Sequence, residues 1–145
     1  MGYTTDFNGQ FLLNKPLSHD LKDYLDAFNE SRRVSRRLSE AFGIEGEFYV
    51  GDDRDDDIID YNRPPKTQPG LWCQWRPNDD GTAIEWDGGE KFYNYVEWLE
   101  YIIKNFLAPK DYVLNGAVNW QGESLDDMGI INVKDNVISI KQLTV

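Results

Sequence analysis

Thiol and imidazole are nearly missing from this chain of 145 residues, which holds one cysteine, Cys73, and one histidine, His19. A single thiol excludes an intramolecular disulfide, and one of each excludes a Cys/His zinc site within one chain. Positive charge is also scarce. Fifteen lysines and arginines stand against 26 aspartates and glutamates, giving a formal net charge of -11 and a pI near 4.4. Phosphate affinity comes from cationic contacts, so this balance argues against a general nucleic-acid binder. No apolar run approaches the roughly 20 residues of a membrane-spanning helix, and no membrane partner is expected. Met1 to Asp6 lack the basic segment and apolar run of a secretory signal, so a reducing cytoplasm is the expected compartment.

What is present suffices for a core. Hydrophobic residues make up 40% of the chain and aromatic residues 14%. Disordered segments are poor in aromatics, and the length suits one domain spanning 1–145. Tyr3 to Leu13 alternates with period two, the pattern of a half-buried strand. Ser18 is positioned to cap a helix whose apolar stripe is Leu21, Tyr24, Leu25 and Phe28. The stripe loses phase near Asn29 to Ser31. A second stripe of Val34, Leu38, Ala41 and Phe42 then predicts a further helical stretch that stops at Gly43.

Glu47 to Val50 reads as a short strand, and Gly51 to Gln68 as an acidic loop. Leu71 to Arg76 and Thr82 to Asp87 form a predicted hairpin. Phe92 to Phe106 carries a strong helical pattern that ends before Pro109. Tyr112 to Trp120 alternates again. A last hairpin turns at Asp135-Asn136, where pairing Lys134 with Val137 gathers Ile131, Val133, Ile138 and Ile140 on one face. The sum is an α+β domain: a mainly antiparallel sheet of five to seven strands, one face polar, with two helices packed on the other.

Three groups of residues carry candidate chemistry. The aspartate run includes Asp52, Asp53, Asp55 and Asp57, oxygen donors of the kind that Mg²⁺ or Ca²⁺ takes. The spacing is not that of an EF-hand, and like charges in a row also serve simply to keep a loop solvated. Arg32, Arg33, Arg36 and Arg37, if helical, form like-charged pairs that invite counter-charge, from the aspartate loop or from an acidic or phosphorylated partner. Residues 1–50 have a net charge of -2 and residues 51–145 of -9. Such polarity suits homo-oligomers formed through the arginine helix and the acidic loop.

The third group is the Trp-rich middle: Trp72, Gln74 and Trp75, then Glu85, Trp86, Asp87 and Glu90. Pairing Arg76 with Thr82 would place Trp72, Gln74, Ile84 and Trp86 on one face and Trp75 and Glu85 on the other. Tryptophans beside carboxylates suit a pocket for a sugar, a base or a peptide, or a polar network that serves buried indoles. Glu85 among aromatics is a candidate acid or base.

The segments Pro69 to Trp75 (PGLWCQW), Thr82 to Ile103 (TAIEWDGGEKFYNYVEWLEYII) and Gly2 to Phe11 (GYTTDFNGQF) together resemble an uncharacterised family of small acidic bacterial and phage-associated proteins. The resemblance implies a single-domain intracellular protein and no activity or cofactor. The expected function is a non-enzymatic interaction module whose acidic face docks on a basic protein surface, with inhibition by nucleic-acid mimicry as one version. The alternatives are a carboxylate- or metal-dependent hydrolase acting on a nucleotide or sugar, and a Trp-lined small-ligand binder.

Overall fold

The computed structural model describes residues 2–51 and 55–143. The chain runs through strand β1 (Asp6–Leu13), helix α1 (His19–Glu30) and the short strands β2 (Ser35–Arg36) and β3 (Ile58–Asp60). The hairpin β4 (Trp75–Pro77) and β5 (Ala83–Trp86) leads to helix α2 (Tyr95–Ile102), and β6 (Leu114–Gln121), β7 (Met128–Lys134) and β8 (Val137–Gln142) complete the order. Six strands form one antiparallel sheet in the order β4-β5-β1-β6-β7-β8, and β2 and β3 pair separately. Phe11, Ile84, Val118 and Ile131 point from one sheet face into a core shared with Leu25 and Phe28 of α1 and Trp98 and Leu99 of α2. The other face is polar: Asn8, Gln10, Asn115, Asn119 and Gln121 are exposed along β1 and β6. The α+β architecture, a mainly antiparallel sheet with two helices on one face, is the expected one.

Ser18 caps α1 as its type predicts, its Oγ accepting from Leu21 N at 3.2 Å. The helix ends where the stripe loses phase. Ser31 turns to an extended conformation and its Oγ donates to Ala27 O at 2.7 Å. Of the expected helical stretch beyond it only a 3-10 turn, Glu40–Phe42, forms, and it stops at Gly43 as expected. Residues 32–34 are not helical, and Ser35 and Arg36 pair with β3. A helix here would force Arg33 and Arg36 onto adjoining exposed faces. The non-helical chain instead buries both against aromatic rings.

Glu47 to Val50 is not a strand either. Gly43 and Gly46 have φ of 78° and 73°, and the Glu47 carboxylate folds back to accept from Ile44 N at 2.9 Å, which closes a turn. The acidic stretch Gly51 to Gln68 contains β3 and a 3-10 turn, Asp55–Asp57.

The first hairpin forms three positions away from the expected register. Arg76 pairs with Glu85, and Trp75 with Trp86. Asn78 explains the difference, because its Oδ1 accepts from both Thr82 N (2.9 Å) and Ala83 N (3.0 Å) and so holds a longer turn. An odd shift flips faces, so Trp75 and Trp86 meet on the core side, each with its ring centroid 5.3 Å from Phe7. The last hairpin has the expected register, with Lys134 opposite Val137. Asp135 and Asn136 both take positive φ, as a two-residue turn of the type I′ class requires. No described helix is long and apolar enough to cross a membrane.

Candidate functional site

The Trp-rich middle of the chain forms one wall of an open groove of about 530 Å³. Arg32 enters it from the end of α1, Trp72 and Gln74 from the approach to β4, and Glu90, Lys91 and Tyr93 from the approach to α2. Four of the expected binding residues (Arg32, Trp72, Gln74 and Glu90) therefore share one cavity. The volume lies within the range of small-molecule sites.

Trp72 is 43% exposed and Tyr93 is 50% exposed. The other tryptophans serve the core. Trp75 is 1% exposed, and its indole N–H donates to Tyr95 O at 2.8 Å. The Trp86 N–H donates to Gln74 Oε1 at 3.1 Å, and the Trp120 N–H donates to Asp127 Oδ1 at 2.9 Å. Trp98 is fully buried, and its N–H has no hydrogen-bond partner among the described residues. A Cβ on Gly70, at the edge of the groove, would lie 3.6 Å from that nitrogen.

The polar groups of the groove divide into committed and uncommitted ones. The Gln74 amide is committed at both ends, since it accepts from Trp86 and its Nε2 donates to Glu90 O at 2.7 Å. Asn94 Nδ2 donates to Pro69 O at 2.8 Å. Arg32 lies 4.5 Å over the Tyr61 ring and donates from Nε to Tyr61 O at 3.2 Å. Neither Arg32 nor Lys91 forms an ion pair with a described residue. Lys91 and Asn94 both hold left-handed backbone, with φ of 59° and 57°. Bulky side chains seldom adopt it, and such strain clusters at functional sites.

The remaining candidates lie elsewhere. Glu85 stands opposite Arg76 on the other face of the hairpin from Trp75 and Trp86. Asp87 is occupied by Asn29 Nδ2 at 2.9 Å and by Gly89 N at 2.7 Å. Glu85, Asp87 and Glu90 thus do not present a joint set of free carboxylates. Arg33 and Arg36 are 3% and 4% exposed, whereas Arg37 is exposed and its backbone N donates to Asp57 O. Asp52 and Asp53 lie outside the described residues, as does the side chain of Asp55, and Asp57 sits in the 3-10 turn. Among the described residues no three His, Cys, Asp or Glu side chains gather to hold a metal ion. Burial pushes the Cys73 thiol up to about 12, so it is not a ready nucleophile.

A second polar cluster is sealed inside. Arg33 Nη2 and Gln68 Nε2 both donate to Glu47 O, at 2.8 and 2.6 Å, and Tyr101 OH donates to Glu47 Oε1 at 2.7 Å. Burial pulls the Arg33 guanidinium down to about 10, so it keeps its charge at neutral pH. Burial pushes the Tyr101 hydroxyl well above its ordinary range. This cluster ties Arg33, Glu47 and Gln68 to Tyr101 of α2.

Sequence reasoning did not single out Lys91, Tyr93, Asn62 or Asn94. Lys91, Tyr93 and Asn94 are placed by a segment with left-handed backbone at Lys91 and Asn94, and Asn62 by the turn after β3, beside Arg32. No family model, curated protein or solved structure matches the chain.

Proposed function

We propose that this protein is a non-enzymatic binding module whose ligand site is the Trp72 groove. The observation that carries this reading is the exposed indole of Trp72 beside the exposed ring of Tyr93 in a cavity of about 530 Å³. Leaving such rings in water forgoes about 25 cal/mol for each Å² of apolar surface. A bound ligand would recover that loss. Glu90 is the one carboxylate in the groove among the described residues, and general acid–base chemistry asks for a positioned acid and base.

The test is a titration followed by amide and indole NMR signals, using panels of nucleotides, aromatic acids and neutral sugars. The expected result is a ligand that shifts the Trp72 indole together with Gly70 and Tyr93, and whose binding Trp72→Ala abolishes in a folded protein. Shifts that spare these residues, or binding unchanged in Trp72→Ala, would overturn it.

A second reading is an acidic surface that docks on a basic protein. It is favoured by the withdrawal of Arg33 and Arg36 into the interior, which leaves the exterior of a chain of net charge -11 poorer in cations. Association of that kind weakens steeply with added salt.

A further inference from the structure

Resting on the reading of the groove as a ligand site, we infer that its ligand joins one flat unsaturated ring to one anionic group. Free mononucleotides and aromatic carboxylates share that chemistry. Trp72 and Tyr93 supply exposed ring faces, on which a flat ring stacks whatever its identity. The anionic group follows from local charge inversion. In a chain of net charge -11, the groove collects, among the described residues, two cations, Arg32 and Lys91, against one carboxylate, Glu90.

Lys22 Nζ lies 2.9 Å from Asp26 and Arg63 lies 3.4 Å from Glu45, whereas several exposed cations, Arg76 and Lys104 among them, form no ion pair with a described residue. Arg32 and Lys91 have no such partner among the described residues. Arg32 is nevertheless held in place, by the Tyr61 ring, by Tyr61 O and by Asn62 Oδ1 at 3.5 Å. A guanidinium fixed before binding gives up little freedom when it meets an anion.

The same geometry disfavours a neutral sugar. Of the neutral amides in the groove, Gln74 is spent on Trp86 and Glu90 O, and Asn94 Nδ2 donates to Pro69 O, which leaves few neutral polar groups to read several sugar hydroxyls. A basic peptide is disfavoured by the two cations.

The experiment is calorimetry on the full chain with adenosine monophosphate, adenosine, inorganic phosphate, N-acetyltryptophan and maltose, repeated with Arg32→Gln and Lys91→Gln. Groove NMR signals are followed in parallel. Adenosine monophosphate or N-acetyltryptophan should bind at least tenfold more tightly than adenosine or phosphate alone, and each variant should weaken that binding at least tenfold while keeping a dispersed spectrum. Binding of the nucleotide only points to a free nucleotide, and binding of the acid only to an aromatic carboxylate. Adenosine binding as tightly as its monophosphate, or maltose as the preferred groove ligand, would overturn the inference and leave the groove as a binding site. Failure of all five to shift the groove would overturn the inference and also count against the groove.

Discussion

The Arg33 guanidinium lies 4.2 Å from the centroid of the Phe28 ring, stacked against the last turn of the helix that it follows. Its Nη2 donates to Glu47 O at 2.8 Å, so one buried cation joins α1 to the turn at Glu47. Truncating it would strand buried acceptors and open a cavity. Arg33→Ala should cost about 3 kcal/mol, in the range for a disrupted buried polar network. Arg37→Ala, at an exposed site, should change stability by less than about 0.5 kcal/mol. Urea unfolding of the two variants checks the contrast. Equal midpoints would show that the interior cation is dispensable.

Trp72 and Trp75 sit three residues apart yet differ in kind. Trp75→Ala should destabilise by about 3–5 kcal/mol, as deletion of a sealed aromatic does. Trp72→Ala should cost less than about 1 kcal/mol, since much of its ring already meets water. Thermal unfolding of both separates a groove residue from a core residue.

Gly129 lies beneath the Trp120 ring across the β6–β7 ladder. A Cβ there would run into Trp120 Cη2 and come 2.5 Å from Lys141 O. Gly129→Ala should therefore destabilise by about 1–3 kcal/mol through overpacking. A Trp120→Leu background, which removes the ring, should relieve part of the cost. A double-mutant cycle measures the coupling, and simple additivity would refute the contact as its source.

The unmet indole N–H of Trp98 offers a stabilising change. Gly70→Ser places a hydroxyl within reach of Nε1, since the added Cβ would stand 3.6 Å away. A gain of about 1 kcal/mol is expected from the new buried hydrogen bond. Gly70→Ala controls for the backbone effect and should gain less. A urea midpoint for the serine variant at or below that of the alanine variant would sink the idea.

Alkali should weaken the fold from pH 9 upward. Burial raises Cys73 from 9.0 to about 12, and Tyr24 and Tyr95 from 10.0 to about 12. Tyr101 is also raised, again by burial. Each of these groups holds its proton more tightly when folded, so its contribution is intact below the unfolded value and is lost as pH climbs toward the folded one. Arg33 opposes the trend above pH 10, because burial lowers it from 12.5 to about 10. Four groups against one make the net effect destabilising. Urea midpoints should be level between pH 7 and 8.5 and fall at pH 9.5 and 10.5; a level or rising midpoint there contradicts the buried assignments.

Much of the scaffold was legible because it obeys local rules. Ser18 caps α1, and a two-residue turn sets Lys134 opposite Val137, both as residue type dictates. The arginine segment was not legible, since helical spacing is only a weak preference. Burial on Phe28 and Tyr49 outweighs it for Arg33 and Arg36. The Trp-rich hairpin was half legible. Its strands were plain, but Asn78 accepting two backbone N–H groups moved the register and so reversed which tryptophans meet.

Sequence alone determined the fold class, the polar outer face of the sheet and the acidic balance, because periodicity and composition act locally and add up along the chain. Tertiary structure alone decided that Trp72 stays open while Trp75 closes, and that Arg32 and Lys91 share one cavity. Those outcomes depend on a turn's hydrogen bonds and on left-handed backbone at Lys91 and Asn94, through which segments distant in sequence are set side by side.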